Sequence, residues 1–301
     1  MKIPKRIFDK SKTKNSKFKI MVKPKVCILR TDGTNCDEEL FYAFEKFGSS
    51  PEYVHVNELR AKSKKLKAYK ILALPGGFSY GDDVASGKIL AVELVSFFKD
   101  QLSEFINSRG LILGICNGFQ TLVRTGLLPF GHLGKMEATL AQNTSGHFEC
   151  HWIKLKTQKS RCVFLDPKNF TPEDNNKPGL PMYSKPGLGN PDQIFELPVN
   201  HGEGRFFAES ETIRTIEQSD LIVFHYVDKS GRPTQNYPEN PAGSTNAIAG
   251  ITDPTGRILG LMPHPEKFVD ITQHPNWRRQ KIREPHGTFI FRQMINYVKE
   301  S

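Results

Sequence analysis

The chain has 301 residues, 38% of them hydrophobic and 25% charged, enough apolar material for a sizeable core and too much for a disordered or fibrous protein. Its formal net charge of +10 is local: residues 1–25 hold ten Lys/Arg against the single acid Asp9, and the remainder balances at 32 basic and 31 acidic residues. The basicity therefore belongs to a tail and not to a folded surface, which argues against nucleic-acid binding, and no run of 18 apolar residues proposes a membrane span.

Residues 1–24 read as a basic, disordered tail. The tail lacks the apolar centre of a secretory signal, and Lys dominates over the Arg expected of a transit peptide. Met21, directly before the first strand-like run, is an alternative start. Residues 25–301 read as one α/β domain, because short apolar runs alternate with helix-like stretches. Val26–Leu29 is the first expected strand. A helix over Cys36–Phe47 follows, with Thr34 or Asn35 as cap, acids at 37–39 in its first turn and Gly48 as its stop. Tyr53–Val56 and Lys70–Leu74 are strands, Ile89–Ile106 is helical, and Leu111–Ile115 is a buried strand leading into a helix that ends near Gly126. Beyond about residue 150 the texture changes. His151–Lys156, Leu221–Val227, Asn246–Ile251 and Arg257–Met262 read as strands, the last two joined by an Asp253-Pro-Thr-Gly256 turn. Residues 166–192, rich in Pro and Asn, read as a surface insertion, and 286–299 as a closing helix.

Five cysteines, Cys27, Cys36, Cys116, Cys150 and Cys162, with no C-x-x-C pair make neither a disulfide framework nor a zinc motif, and fit a reducing cytoplasm. Cys150 beside His151 is a weak metal hint, since adjacent side chains on a strand diverge.

Cys116 stands out. Four apolar residues lead into Gly114-Ile-Cys-Asn-Gly118, the spacing of a nucleophile elbow, where glycines permit a tight strand-to-helix turn. The following helix offers its N-terminal N–H groups and positive dipole end to a negative sulfur. Such a nucleophile needs a base and a group to orient it. In Pro263-His-Pro-Glu266 the prolines favour extended backbone, and His264 and Glu266 then project to one side. Pro75-Gly-Gly-Phe78 ends a strand, where the Gly77 amide and the Asn117 amide can together receive an oxyanion. Gly81–Lys88 superficially resembles a phosphate loop. Its glycine spacing is one residue too long, Ile89 replaces the magnesium-binding Ser/Thr, and Asp82 and Asp83 would repel phosphate, so ATP chemistry within the chain is rejected.

Gly114-Ile-Cys-Asn-Gly-Phe-Gln120, Pro75-Gly-Gly-Phe-Ser-Tyr-Gly-Asp82, Asn200-His-Gly-Glu-Gly-Arg205 and Gly260-Leu-Met-Pro-His-Pro-Glu266 together resemble the class I (triad) glutamine amidotransferases. Within that family they are most similar to the glutaminase subunits of phosphoribosylformylglycinamidine synthase. The resemblance covers roughly residues 25–299. It implies a flavodoxin-like fold: a central, mostly parallel sheet with helices on both faces and a small antiparallel extension. It also implies hydrolysis of L-glutamine through a thioester, with Cys116 as nucleophile, His264 as base and acid, and Glu266 as its orienter. Gly77 and Asn117 would form the oxyanion hole and Gln120 would line the glutamine pocket. His201, Glu203 and Arg205 would belong to a segment that faces the synthetase partner. No metal or cofactor is implied in this chain; ATP and magnesium would act on the synthetase subunit, with a small third subunit as a further partner. One departure is Asp32 in Asp32-Gly-Thr-Asn-Cys-Asp37, where the family commonly has Pro. A glutaminase of another complex, a cysteine peptidase or amidase of related fold, and a silent binding module are the alternatives left open.

Overall fold

The computed structural model describes residues 23–166, 194–280, 282 and 284–300. The tail, apart from its last two residues, and nearly all of the 166–192 insertion lie outside the described residues.

Among the described residues there are eleven strands and seven α-helices. In chain order they are β1 (Lys25–Arg30), α1 (Asp37–Lys46), β2 (Ser50–His55), α2 (Val56–Arg60), β3 (Ile71–Leu74), α3 (Lys88–Phe97), α4 (Lys99–Asn107), β4 (Leu111–Ile115) and α5 (Asn117–Arg124). After these come β5 (Thr139–Ala141), β6 (Glu149–Thr157), β7 (Ile194–His201), β8 (Arg205–Phe207), α6 (Ser210–Gln218), β9 (Ile222–Tyr226), β10 (Ile248–Thr252), β11 (Ile258–Leu261) and α7 (Thr288–Glu300).

Nine strands form one sheet in the order β2-β1-β3-β4-β11-β10-β9-β6-β7, and β5 pairs with β8 in a separate antiparallel ladder. The first five strands of the sheet are parallel to one another, and the remaining four continue it antiparallel. Every residue of β3, β4, β10 and β11 is buried, so the centre of the sheet is covered on both faces, as uninterrupted apolar strands require. The helices cover it in two groups. α1 packs on β1, β2 and α7, whereas α5 packs on β3, β4 and β11 and against α3.

Several elements differ from the sequence reading for local reasons. The helix expected over Ile89–Ile106 is two helices. Phe98 leaves helical backbone at φ −118°, ψ 10° and buries its ring, so the chain bends there. Neither Thr34 nor Asn35 caps α1. Cys36 holds that position without capping the helix through its side chain, which donates instead to Asn35 Oδ1 at 3.3 Å, while Thr34 Oγ1 accepts from its own loop at Thr31 N–H, 3.1 Å. Val56 is not the end of β2 but the start of α2, capped by His55, whose Nδ1 accepts from Asn57 N–H. Strand β7, the β5–β8 ladder and helix α6 were not anticipated. The Asp253–Gly256 turn is present, its Asp253 carboxylate accepting from the N–H groups of Arg257 and Ile258 at 2.9 Å each.

Candidate active site

The site lies at the C-terminal ends of β3, β4 and β11. Strands β4 and β11 run parallel with Ile115 opposite Leu261, so the residues that follow each strand emerge side by side. Cys116 follows β4 and takes φ +51°, ψ −105°, a strained conformation for a residue with a side chain. Its N–H donates to Leu261 C=O at 2.8 Å, and α5 begins at the next residue. Gly118 makes this possible, because a Cβ there would lie 2.1 Å from Leu74 C=O.

His264, three residues past β11, is held by its backbone: its N–H donates to Pro198 C=O of β7 at 2.9 Å. Its Nδ1 lies 2.5 Å from Glu266 Oε1, and both side chains are 1% exposed. The Cys116 sulfur lies near enough to the His264 ring to interact with it. The thiol itself is turned toward Asn200 C=O, 3.4 Å away, which leaves His264 Nε2 buried without a hydrogen-bond partner. Burial opposes charge on His264, but Glu266, Cys116 and Cys36 outweigh it and hold its proton well above the usual imidazole range. An orphaned imidazole nitrogen beside a thiol, with the opposite nitrogen fixed by a carboxylate, can accept the thiol proton and later return it.

The sheet's antiparallel end supplies part of this wall. Although β7 is the last strand of the sheet, its Pro198 and Asn200 carbonyls reach the histidine and the cysteine in the middle.

Gly77 stands after β3 with φ +142°. The neighbouring amides are committed, Phe78 N–H to Gly33 C=O and Cys36 N–H to Gly76 C=O, whereas the Gly77 N–H has no backbone acceptor among the described residues. The Asn117 N–H is in the first turn of α5, where no intrahelical acceptor exists. The Asn117 side chain pins the neighbouring loop instead: Nδ2 donates to Asp82 Oδ1 (3.0 Å) and Gln120 Oε1 (3.1 Å), and Oδ1 accepts from Ser79 N–H. Asp82 Oδ1 also takes the Gly87 N–H. The loop that superficially resembled a phosphate cradle is thus closed by its own acid.

Of the remaining sequence candidates, Gln120 and His201 are engaged inside the chain. Gln120 does not present a free amide to a pocket, since Oε1 is bonded to Asn117 and Nε2 donates to Glu203 C=O at 2.6 Å. It ties α5 to the 201–205 segment. His201 does not face outward. It is buried, its Nδ1 lies 3.1 Å from Asn143 Oδ1, and burial with the nearby His264 pushes its pKa down to about 3. Glu203 reaches Ser86 N–H and Arg124, and Arg205 opens β8 with its Nε buried and unpartnered. Cys150 donates its thiol to Asn200 Oδ1 while His151 turns to Glu149, so the two do not converge.

Cys36 is the residue that sequence reasoning passed over. It is buried, and its sulfur lies with His264 and Glu266 in a cluster whose ligand-capable atoms are all within 4.8 Å of one another. A lone thiol at the start of a helix carries no signal of this in the sequence. Only the packing of the 32–37 loop under Gly76 brings it to the histidine.

A thiol on a strained strand–helix turn beside a buried His–carboxylate pair is the arrangement that cysteine-dependent acyl transfer uses. Residues 23–171 and 187–298 match the CobB/CobQ-like glutamine amidotransferase domain, and the chain belongs to that family. More particularly, it is 43% identical to the phosphoribosylformylglycinamidine synthase subunit PurQ of Dehalococcoides mccartyi, over 93% of this chain and all of that protein. The subunit of the same name from Treponema denticola is 36% identical over 92% of this chain and all of that one. Among solved structures, PurLQS from Thermotoga maritima contains a chain matched over its whole length by 92% of this one, with a TM-score of 0.65 and 28% identity.

Proposed function

We propose that this chain is the glutaminase subunit of a phosphoribosylformylglycinamidine synthase in purine biosynthesis, releasing ammonia from L-glutamine for a synthetase subunit. The observation that carries the reading is the Cys116 thiol on its strained strand–helix turn beside a buried imidazole whose far nitrogen is fixed by Glu266. The near full-length similarity to proteins of that name supplies the pathway.

In this mechanism the Cys116 thiol gives its proton to His264 and the sulfur attacks the side-chain carbonyl carbon of glutamine. The Gly77 and Asn117 N–H groups receive the developing oxyanion, each such donor contributing about 3–4 kcal/mol. His264 then protonates the leaving nitrogen, ammonia departs and a thioester remains. Water attacks the thioester as His264 takes its proton; glutamate leaves and the thiol is restored. Glu266 keeps the ring in the orientation that serves both halves.

The synthetase subunit is the partner. ATP and magnesium act there and not on this chain, and a small third subunit completes the assembly. The free state of all five cysteines fits work in the cytoplasm. The peptidase alternative is disfavoured by burial: Cys116 is 5% and His264 1% exposed, which offers no open cleft for a chain substrate.

The purified protein, alone and with its synthetase, is expected to release glutamate from glutamine, and Cys116→Ala to abolish that release. Undiminished glutamate release by Cys116→Ala, or covalent capture of a glutamine-derived electrophile at another cysteine, would overturn the proposal.

A further inference from the structure

Three buried side chains around the histidine offer more than the hydrolytic mechanism uses. Cys36, His264 and Glu266 each present one ligand-capable atom, all within 4.8 Å of one another, and all three residues are buried. The hydrolytic reading employs the imidazole and one carboxylate oxygen. It leaves the Cys36 sulfur, whose thiol donates to Asn35 Oδ1 at 3.3 Å, without a catalytic task, and Glu266 Oε2 is buried with no hydrogen-bond partner. A buried polar atom without a partner is costly, and an ion is one of the few things that can satisfy it.

We propose that Cys36, His264 and Glu266 form a binding site for a soft divalent transition-metal ion such as Zn2+, and that its occupation switches off the thiol chemistry. A sulfur, an imidazole nitrogen and a carboxylate oxygen are ligands that zinc takes, and a fourth position stays open to water. Zinc–ligand bonds of about 2.0–2.3 Å place ligand atoms roughly 3.3–3.7 Å apart. The cluster therefore closes on an ion by shifts of about an ångström. Binding releases the Cys36 thiol proton and the extra proton that His264 holds to solvent and engages the imidazole and its orienting carboxylate, so His264 no longer serves Cys116. Lys267, whose ammonium interacts with the Cys36 sulfur, also opposes binding. It sits on a long, flexible stem and has to swing aside.

The inhibitory consequence rests on the glutaminase reading; the binding does not. The test therefore begins with Cys116→Ala protein, reduced and freed of metal, titrated with Zn2+ by calorimetry and with Co2+ by absorption spectroscopy. One equivalent is expected to bind, with a thiolate-to-cobalt charge-transfer band in the near ultraviolet. Adding Cys36→Ser should remove the band and weaken Zn2+ binding at least tenfold, while Cys150→Ser should change neither. Lys267→Gln should tighten binding, which gives a second readout should the Cys36 variant fail to fold. In the protein with Cys116 intact, Zn2+ should suppress glutamate release, a chelator should restore it, and Cys36→Ser should be suppressed at least tenfold less sensitively. Absence of stoichiometric binding, a band that survives Cys36→Ser, or a band lost with Cys150→Ser overturns the site. A protein that binds zinc through Cys36 but never releases glutamate leaves the site standing and refutes the catalytic reading instead.

Discussion

Replacing Gly76 with alanine tests the placement of His264 with a single methyl group. Gly76 does not require a left-handed backbone, so the substitution brings no conformational strain of its own. Its added Cβ would meet His264 Cε1 at 2.7 Å, Cys36 Sγ at 3.3 Å and His264 Nδ1 at 3.4 Å. Carbon atoms rest at about 3.5–4.0 Å, so the ring must retreat by roughly 1 Å. It has little freedom to do so harmlessly, because Nδ1 is held 2.5 Å from Glu266 Oε1 and the backbone N–H is tied to Pro198 C=O. A misplacement of about 1 Å at a reacting group costs on the order of 100-fold in rate. Glycine-to-alanine change at 76 is therefore expected to lower kcat for glutamate release about 100-fold, with KM for glutamine little altered. Overpacking of this kind costs only about 1–3 kcal/mol of stability, so circular dichroism and thermal melting should still report a folded protein. Retention of kcat within about threefold of wild type in a folded variant would show that the imidazole is not where the rate is controlled.

Two further outcomes follow from the same coordinates. His264→Ala should reduce glutamate release by several orders of magnitude, because thiol and base act as a unit, whereas Glu266→Gln, which keeps the shape and loses the charge, should cost less; equal losses in steady-state assays would contradict the assigned roles. His201 is held neutral by burial down to about pH 3, while in the unfolded chain it protonates near pH 6.5. Its effect on stability is therefore absent above pH 6.5 and grows as the pH falls toward 3, reaching at most about 5 kcal/mol. Thermal melts between pH 7 and 4 should show a steeper loss for wild type than for His201→Gln, and parallel slopes would refute the assignment.

Much of the site was legible because its parts are local. The Gly114–Gly118 turn, the close spacing of His264 and Glu266, and the glycines after β3 are properties of a few consecutive residues, where steric limits on the backbone decide the shape; the His264–Glu266 pair forms through a 3-10 turn over Pro265–Lys267 and not through the extended backbone expected of its prolines. The buried runs Leu111–Ile115 and Arg257–Met262 likewise announced central strands through unbroken apolarity, and the coordinates keep Leu111–Ile115 without change. The tertiary structure decided what required distant segments to meet. The Asn200-His-Gly-Glu-Gly-Arg205 string read as a segment facing the synthetase partner, and nothing in it announced that β7 folds back over the sheet, buries His201 and sets two carbonyls against the thiol and the histidine. Gln120 read as a substrate contact, yet its amide spans from Asn117 to Glu203. Cys36 carried no functional signal, yet its sulfur lies within 4.8 Å of ligand-capable atoms of His264 and Glu266. A residue's type limits which bonds it can form, but which partner claims a buried amide, thiol or imidazole depends on competition among groups far apart in the chain, and only the packed fold resolves that competition.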